Sequence, residues 1–457
     1  MSNILLKNTK IVNEGKVYPA DLLIKNQRIE KIASSITKRE GNTREINCNH
    51  NYLIPGMIDD QVHFRDPGLT HKASLETDSQ AALAGGITSF MDMPNTIPNV
   101  LTQEILEEKY NHAKDKAWGN FSFYMGTSNE NSEEVLKTNP KNVCGVKIFM
   151  GSSTGNMLVD NKKTLNHIFK NCETLIATHC EDEATILRNS AQFRSKYDLQ
   201  VPSPIAGGVD LAKLHPQIRS EEACFLSSQL AVSIAKEHGT RLHVLHLTTE
   251  KEIQHFVEGA VENKNITGEV CVHHLWFDEN DYGKLGNKIK CNPAIKKETD
   301  KLALRKAVLA TKLDVIATDH APHLLKEKNE NYWNSPAGLP LVQAALPTLF
   351  ELVEQGVFSI EKIVEMTSHN VAKAYKIKNR GFIREGMFAD LALISDHNEK
   401  DLPLYYKCGW SPINIIHLKY HVEKTWVNGT LAYDIQAENK FNRPPVARLA
   451  FEKIRKN

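Results

Sequence analysis

The sequence lacks several features that would place it in a common class of protein. Its eight cysteines include no Cys-x-x-Cys pair, which argues against a disulfide framework and against a thiolate zinc knot. No apolar run approaches the roughly 18 residues that a membrane span needs, and Lys7 interrupts the N-terminal apolar residues before a signal-like core forms. We therefore expect a cytoplasmic protein in a reducing compartment, without membrane contact.

An excess of charge is also missing. The chain has 56 Lys+Arg and 55 Asp+Glu, a formal net charge of +1, and no dense basic block interleaved with aromatic residues. Nucleic acid is therefore not an expected partner. The 457 residues and 41% hydrophobic content suffice for one large domain and a smaller one. We expect a small-molecule substrate and a homo-oligomer, either a dimer or a tetramer.

Short segments typical of β-strands occur at both ends of the chain. They are residues 4–6, 10–12, 21–24, 28–32, 390–394 and 424–427. The last is followed by the turn pair Asn428-Gly429. This pattern predicts a small β-sandwich domain composed of residues 1–54 and 377–457.

Between the ends, apolar strands alternate with amphipathic helices, which predicts an α/β protein with a (β/α)₈ barrel of the TIM type over residues 55–376. The strand candidates are 53–63, 87–94, 120–127, 144–150, 174–180, 241–247, 266–273 and 314–319. The helix candidates are 74–84, 102–117, 221–237, 299–311, 341–355 and 359–375. An open doubly wound sheet is the alternative, but no Gly-rich phosphate-binding turn follows the first strand. The long loops 196–216 and 324–340 are candidate lids.

Gln61-Val62-His63 is close to a two-histidine metal motif, with glutamine at the first position. Residues two apart in a strand face the same side, so both side chains should point into one cavity, with Arg65 next in line. A glutamine oxygen is a poorer zinc ligand than imidazole nitrogen. The decisive question is therefore whether other ligands are present.

Further candidate ligands lie in or at the ends of other predicted strands. They are Lys147, His179, His246 and Asp319, in addition to His63. In a barrel the C-terminal ends of the strands converge on one mouth, which would bring these residues together. Taken singly, each has an ordinary alternative: a core or loop histidine, a turn cap for Asp319, or an ion pair for Lys147. A lysine carbamylated by carbon dioxide would instead supply a carboxylate able to bridge two divalent ions, which removes the cost of a buried cation.

The chain resembles the cyclic amidohydrolases, and most closely the class I-like dihydroorotases. The resemblance covers nearly the whole chain and rests on seven segments: 63–68 (HFRDPG), 93–96 (MPNT), 145–147 (GVK), 178–182 (THCED), 246–250 (HLTTE), 292–293 (NP) and 319–323 (DHAPH). It implies a zinc site in a barrel that interconverts N-carbamoyl-L-aspartate and L-dihydroorotate in pyrimidine biosynthesis. It also implies that His63, Lys147 and Asp319 hold one Zn²⁺, and that a carboxylated Lys147, His179 and His246 hold the other.

A carboxylate on the substrate calls for a planar guanidinium with a nearby amide and imidazole. Arg65, Asn95 and His323 resemble such a clamp, and Asn292 is a candidate contact for the pyrimidine ring. The alternatives are a solvated ion pair for Arg65, turn caps for the two asparagines and a loop histidine. The pair His273-His274 follows a strand, and core packing explains it equally well.

Gln61 departs from the resemblance and leaves two questions open. The site could hold one Zn²⁺ or two, with Gln61 as a further candidate ligand. The chain could be an active enzyme in which Asp319 is the general acid and base, a noncatalytic structural partner of a pyrimidine-pathway enzyme, or a cyclic amidohydrolase of the dihydropyrimidinase, hydantoinase or allantoinase type. Because the other ligands and the clamp are all present, we favour the active enzyme.

Overall fold

A barrel of parallel strands forms the centre of the molecule. The computed structural model describes residues 3–37, 42–151, 156–196, 205–206, 209–396 and 402–452. Within these residues, eight barrel strands follow one another along the chain, the third of them interrupted at Tyr124. They are β1 (Met57–Val62), β2 (Ile87–Asp92), β3 (Asn120–Phe123 with Met125–Gly126), β4 (Val146–Phe149), β5 (Ile176–His179), β6 (Leu242–Val244), β7 (Ile266–Cys271) and β8 (Val315–Ala317).

Each barrel strand pairs in parallel with its neighbour in the sequence. β1, β2 and β3 form one ladder, and Met125–Gly126 continues it to β4 and then through β5, β6 and β7 to β8. A parallel bridge between Val62 and His320 joins the last strand to the first. The predicted (β/α)₈ barrel is thus confirmed, and the open-sheet alternative is wrong.

One predicted strand proves to be two. Residues 53–63 divide at Gly56 into Tyr52–Pro55, which pairs with strands outside the barrel, and β1 inside it. A Cβ atom at Gly56 would lie 2.2 Å from Cγ2 of Thr88. Only glycine permits this approach of the chain to β2, and an apolar run through both strands hides the boundary in the sequence.

Helices cover the outside of the barrel and confirm the six helix candidates to within a few residues. The helices between the strands are Leu75–Ala84, Gln103–Lys114, Ser132–Leu136, Lys162–Asn171, Glu183–Lys196, His215–Ile218, Glu221–His238, Val272–Trp276, Tyr282–Leu285 and Glu298–Leu309. Those after β8 are Leu325–Lys328, Ala345–Glu354, Ile360–Val364 and Asn370–Tyr375, with a π-helical turn at Glu365–His369. Short 3₁₀ turns lie at Leu211–Leu214, Lys251–His255, Val261–Asn263, Glu279–Asp281, Gly286–Ile289 and Ile415–His417.

Both chain ends contribute to one eight-stranded sheet, as the sequence predicts. The strand Tyr52–Pro55 connects the two contributions, because it pairs in parallel with Asn3–Asn13 and antiparallel with Leu391–Ser395. The remaining strands are Lys16–Lys25, Arg28–Ala33, Thr43–Asn47, His421–Val427 and Thr430–Asp434. A hydrophobic cluster that includes Leu6, Ile11 and Trp426 fills one side of this sheet.

Two further predictions concern segments outside the strands. None of the helices among the described residues has the length and apolar character that crossing a membrane requires. Of the predicted loop 196–216, residues 197–204 and 207–208 lie outside the described residues. The backbones of Ile205–Ala206 and Val209–Asp210 form a short antiparallel ladder.

Candidate metal and substrate site

The structure brings His63 and Asp319 together. His63 follows β1 and Asp319 follows β8, and these strands are neighbours because the barrel is closed. Nε2 of His63 lies 3.2 Å from Oδ1 of Asp319, and Nδ1 of His63 lies 2.8 Å from Oδ1 of Asn95. If Nδ1 donates to the Asn95 carbonyl, the lone pair of His63 is on Nε2, beside the carboxylate.

Gln61 joins this pair as a hydrogen-bond donor. Its Nε2 donates to Oδ1 of Asp319 over 3.1 Å, and its Oε1 lies 4.0 Å from Sγ of Cys271. The side chain is 1% exposed. With the amide reversed, its oxygen would face a carboxylate, so the charges favour the nitrogen on the Asp319 side. The predicted orientation of residue 61 towards the cavity is therefore present, but the atom beside Asp319 is a donor and not a metal ligand.

A second pair forms across the barrel strands β5 and β6. Nδ1 of His179, at the end of β5, lies 2.9 Å from Nε2 of His246, which follows β6 with a positive φ of 41°. Nε2 of His179 lies 2.9 Å from Oε2 of Glu181. A proton on that Nε2, held by the carboxylate, leaves the Nδ1 lone pair directed at His246.

Glu181 is itself held in place by Arg219. The guanidinium donates from Nε to both carboxylate oxygens at 2.9 and 3.1 Å and from Nη2 to Oε2. Burial alone would raise the pKa of Glu181, but Arg219 and His179 outweigh it and hold the pKa below its ordinary value. Burial lowers the pKa of His179, and Glu181 offsets part of this effect. His179 is thus a neutral, oriented imidazole at neutral pH.

Lys147 lies within electrostatic reach of both pairs. It is fully buried in β4, its ammonium is 4.7 Å from the centre of the Phe149 ring, and no described carboxylate forms an ion pair with it. Burial lowers its pKa to about 8, against a raising effect of Asp319. Its charge in turn lowers the pKa values of His179 and His246. A buried lysine without a carboxylate partner is costly as a cation, so the position favours the neutral amine or a modified side chain.

These five residues fit the chemistry of a metal site. His63 faces the carboxylate of Asp319, and His179 faces His246. The fifth residue is Lys147, and burial lowers its pKa and so disfavours its charged form. His246 also carries an Nδ1 with no hydrogen-bond partner among the described residues. Histidine and carboxylate are ordinary ligands of divalent ions. Closer three-residue groups of His, Cys, Asp or Glu occur beside this set, at Cys271–His273–His274 and at Asp60–His243–Glu269.

Arg65 and His323, two of the predicted clamp residues, are in contact. Nη2 of Arg65 lies 3.0 Å from Nε2 of His323, and its Nε donates to the carbonyl oxygen of Pro322 over 3.2 Å. Arg65 adopts a positive φ of 62° and is 9% exposed. Burial lowers its pKa to about 10, which keeps it charged at neutral pH. An arginine held by neutral groups retains donors for an anionic ligand.

The other two clamp candidates have different surroundings. The Asn95 carbonyl faces His63, so this residue orients a candidate ligand and has only its amide nitrogen left for a substrate. Asn292 is half-buried on the segment between β7 and β8. It precedes Pro293, whose carbonyl oxygen lies 3.1 Å from Nε2 of His274.

Sequence reasoning missed three residues that support the site. Nζ of Lys72 lies 3.0 Å from Nδ1 of His323 and 2.9 Å from Glu327, and no pattern around Lys72 indicated this. Glu181 stands two residues after His179, within a segment that carried the resemblance, and that spacing was a usable signal. Its partner Arg219 lies 38 residues further on, where no local pattern could identify it.

Comparison with known proteins agrees with this architecture. Residues 52–432 match the model of the amidohydrolase family. A protein of Methanosphaera stadtmanae named dihydroorotase is 32% identical over 86% of this chain and 87% of its own. The dihydroorotase of Halobacterium salinarum is 28% identical over 94% and 97%. Among solved structures, the L-hydantoinase (dihydropyrimidinase) from Arthrobacter aurescens matches with a TM-score of 0.89 and 22% identity over 99% of this chain and 100% of its own, a likeness of fold.

Proposed function

The chain belongs to the amidohydrolase family, and on that premise we propose that it is a dihydroorotase, an enzyme that interconverts N-carbamoyl-L-aspartate and L-dihydroorotate in pyrimidine biosynthesis. The relatives with this name match the chain over most of its length. The observation that carries the proposal is the buried contact between Arg65 and His323, because it offers a fixed cation for the carboxylate that distinguishes dihydroorotate from uncharged cyclic amides.

The two pairs and Lys147 suit a divalent metal, and zinc is the ion that the histidine-rich set favours. His63, Asp319 and Lys147 would hold one ion, and His179, His246 and Lys147 the other. When bound, the metal supplies Lewis-acid polarisation of the ring amide carbonyl and lowers the pKa of a water molecule. Gln61 offers no imidazole nitrogen, so an ion beside His63 would be bound more weakly than one beside His179 and His246.

Lys147 is the proposed site of carbamylation. Its neutral amine would attack carbon dioxide, form an N–C bond and release the amine proton to solvent, which leaves an anionic carbamate. A pKa near 8 keeps an appreciable neutral fraction at physiological pH. The product replaces an unpaired buried cation with an anion, and metal binding would compensate that anion.

Asp319 is the proposed general acid and base. In hydrolysis its carboxylate accepts a proton from the attacking water and delivers it to the departing ring nitrogen, and in ring closure it takes the proton from the ureido nitrogen. Gln61 and His63 both contact Oδ1 of Asp319. The hydrogen bond from Gln61 orients the carboxylate through Oδ1, and Oδ2 would exchange the proton.

The test measures turnover and metal content together. Protein purified without added zinc should hydrolyse dihydroorotate and prefer it to dihydrouracil, hydantoin and allantoin. Lys147→Ala should lose activity and metal, and short carboxylic acids should restore part of both. Asp319→Asn should lose about 10²- to 10⁴-fold in kcat. Exposed Lys137→Ala is the matched control and should equal the parent.

Two outcomes would favour the alternatives. A preference for uncharged rings would indicate an amidohydrolase of the hydantoinase or dihydropyrimidinase type. A folded protein without metal or turnover that associates with another pathway enzyme would indicate a structural partner. The glutamine at position 61, in place of a histidine ligand, makes this role the second candidate function. We also expect a homo-oligomer, and light scattering on the purified protein would determine its size.

A further inference from the structure

A second group of metal-ligand side chains lies at the end of β7, outside the set assigned above. Cys271 is the last residue of the strand, and the short helix Val272–Trp276 begins immediately after it. This change from strand to helix places the side chains of His273 and His274 close to the Cys271 thiol. Ligand atoms of the three side chains all lie within 4.8 Å of one another, and the residues are 0%, 1% and 3% exposed.

The two histidines present lone pairs that the surrounding protein does not use. Nε2 of His274 lies 3.1 Å from the carbonyl oxygen of Pro293, a contact that requires the proton on Nε2 and leaves Nδ1 as the acceptor. That Nδ1 has no hydrogen-bond partner among the described residues. One ring nitrogen of His273 interacts with the backbone of Thr318, without well-aligned hydrogen-bond geometry, which leaves the other nitrogen as the acceptor. Buried polar atoms are normally paired, so an unused lone pair on each of two imidazoles next to a thiol requires an explanation.

Charge also favours a cation in this position. Burial lowers the pKa of His274 to about 4 and that of His273 well below its ordinary value, so both imidazoles are neutral and able to ligate. Burial, Glu269 and Asp319 raise the pKa of the Cys271 thiol, and a metal would reverse this by binding the thiolate. In the structure the thiol lies 3.5 Å from Oε1 of Glu269, a base that can receive its proton.

We propose that Cys271, His273 and His274 form a thiolate-containing zinc site separate from the site around Lys147. Thiolate sulfur and imidazole nitrogen are both ordinary zinc ligands, and three protein ligands leave the fourth position of a tetrahedral ion open. Zinc bonds of about 2.3 Å to sulfur and about 2.0 Å to nitrogen place ligand atoms about 3.3–3.7 Å apart, so the three atoms need to close by at most about 1.5 Å. Sγ of Cys271 lies 4.0 Å from Oε1 of Gln61, so the proposed site is a neighbour of the site around Lys147.

The neighbouring group of Asp60, His243 and Glu269 does not lead to the same inference. Nε2 of His243 lies 3.2 Å from Asp60 and 3.6 Å from Glu269. A protonated imidazole between two carboxylates balances most of their charge without an added ion. The group at Cys271 has no such internal compensation.

Cobalt substitution tests the proposal with a signal that only a thiolate ligand gives. The 457-residue chain, freed of metal and loaded with Co²⁺, should show a near-ultraviolet sulfur-to-cobalt charge-transfer band. Cys271→Ser should abolish the band and bind one metal equivalent fewer per chain. Cys48→Ser is the matched control, since Cys48 is equally buried in the sheet of the chain ends, and it should keep both the band and the metal count.

Further variants separate this site from the proposed catalytic one. In Lys147→Ala the band should persist even though activity is lost, so failure of the proposed function leaves this test intact. If Cys271→Ser does not fold, His273→Gln serves in its place and should shift or remove the band and lower the metal count by one. A parent protein without the band, or a folded Cys271→Ser variant that retains it, would overturn the proposal.

Discussion

Gln61 donates a hydrogen bond from Nε2 to Oδ1 of Asp319, 3.1 Å away, in a cavity where both side chains are buried. His63 contacts the same oxygen from its Nε2 at 3.2 Å. The glutamine thus stands where a metal-binding histidine would complete a His-x-His pair, and it contacts the carboxylate that we propose as the general acid and base. Its neutral amide holds Asp319 without adding a nitrogen ligand.

Gln61→His should raise the zinc stoichiometry of the protein, because it places an imidazole beside His63 and Asp319. Activity need not rise, since a site adapted to glutamine tolerates little displacement of its groups. The measurement is zinc per chain after equal exposure to zinc and removal of free ion. Gln61→Leu, which has no ligand atom, is the control and should bind no more zinc than the parent. Equal zinc in parent and Gln61→His would refute a vacant ligand position at residue 61.

Arg65→Lys should act on the substrate and not on the metal. Lysine keeps the charge but loses the planar fork, so one or two charged hydrogen bonds of about 1.5–3 kcal/mol are weakened. We expect kcat/KM for dihydroorotate to fall about 10- to 100-fold with unchanged metal content. Hydrolysis of dihydrouracil, which has no carboxylate, should change much less.

The exposed pair of Arg188 and Glu222 offers the control for that experiment. Arg188→Lys should leave kcat/KM unchanged for both dihydroorotate and dihydrouracil, because the pair is exposed to solvent. An equal loss on dihydroorotate and dihydrouracil in Arg65→Lys would show that Arg65 supports the structure of the site and does not read the carboxylate.

The barrel was predictable because its evidence is periodic and repeated. Each strand is a short apolar run, and most of the potential ligands stand at or near the end of one. Pairing of β5 with β6 therefore brings His179 to His246, and closure of the barrel brings His63 to Asp319. The boundary at Gly56 was not predictable, because apolar residues continue through it and only the contact with Thr88 requires glycine there.

The partners of the site residues were harder to predict than the residues themselves. Arg219 contacts Glu181 from a segment that connects two other helices. Lys72 contacts His323, which lies 251 residues later in the chain. Such contacts depend on the packing of distant loops, which the periodicity of hydrophobic residues in a local segment does not indicate. The orientation of the Gln61 amide likewise follows from its neighbours in space and not from its place in the strand.

Glu181→Gln should weaken metal binding at His179. The carboxylate holds the Nε2 proton of that histidine and makes it a stronger ligand, and loss of such a partner typically costs 10- to 100-fold in metal affinity. The variant should also be less stable, because Arg219 loses the charge that compensates it, at a cost of about 3–5 kcal/mol. Competition with a chelator and urea unfolding measure the two effects. Glu222→Gln, in the exposed pair, is the control for both, and unchanged affinity in a folded Glu181→Gln variant would contradict the role assigned to Glu181.

His243 should contribute stability to the metal-free protein that is lost as the pH rises from about 6.5 to 9. Burial by itself lowers the pKa of His243, but Asp60 and Glu269 outweigh it and raise the pKa to about 9. Below pH 6.5 the folded and unfolded chains both hold the proton, so the full stabilisation is present. Above that value the unfolded chain releases the proton first, and the contribution disappears as the pH passes 9.

His243→Gln removes this titration, so the free energy of unfolding of the parent should decrease relative to that of the variant as the pH rises. Burial lowers the pKa of Lys147 to about 8 and that of Lys290 to about 7; these groups add a slope of opposite sign to both proteins, so the difference between the two proteins is the quantity measured. The shift from 6.5 to about 9 corresponds to at most about 3 kcal/mol of unfolding free energy. Glu269, whose pKa burial and Asp60 raise to about 7, adds a decline of the same sign below pH 7, so the comparison is made between pH 7.5 and 9. Urea unfolding in the presence of a chelator measures the difference, and exposed His167→Gln should keep the slope of the parent. Equal slopes in the parent and in His243→Gln over this interval would mean that Asp60 and Glu269 do not hold the His243 proton.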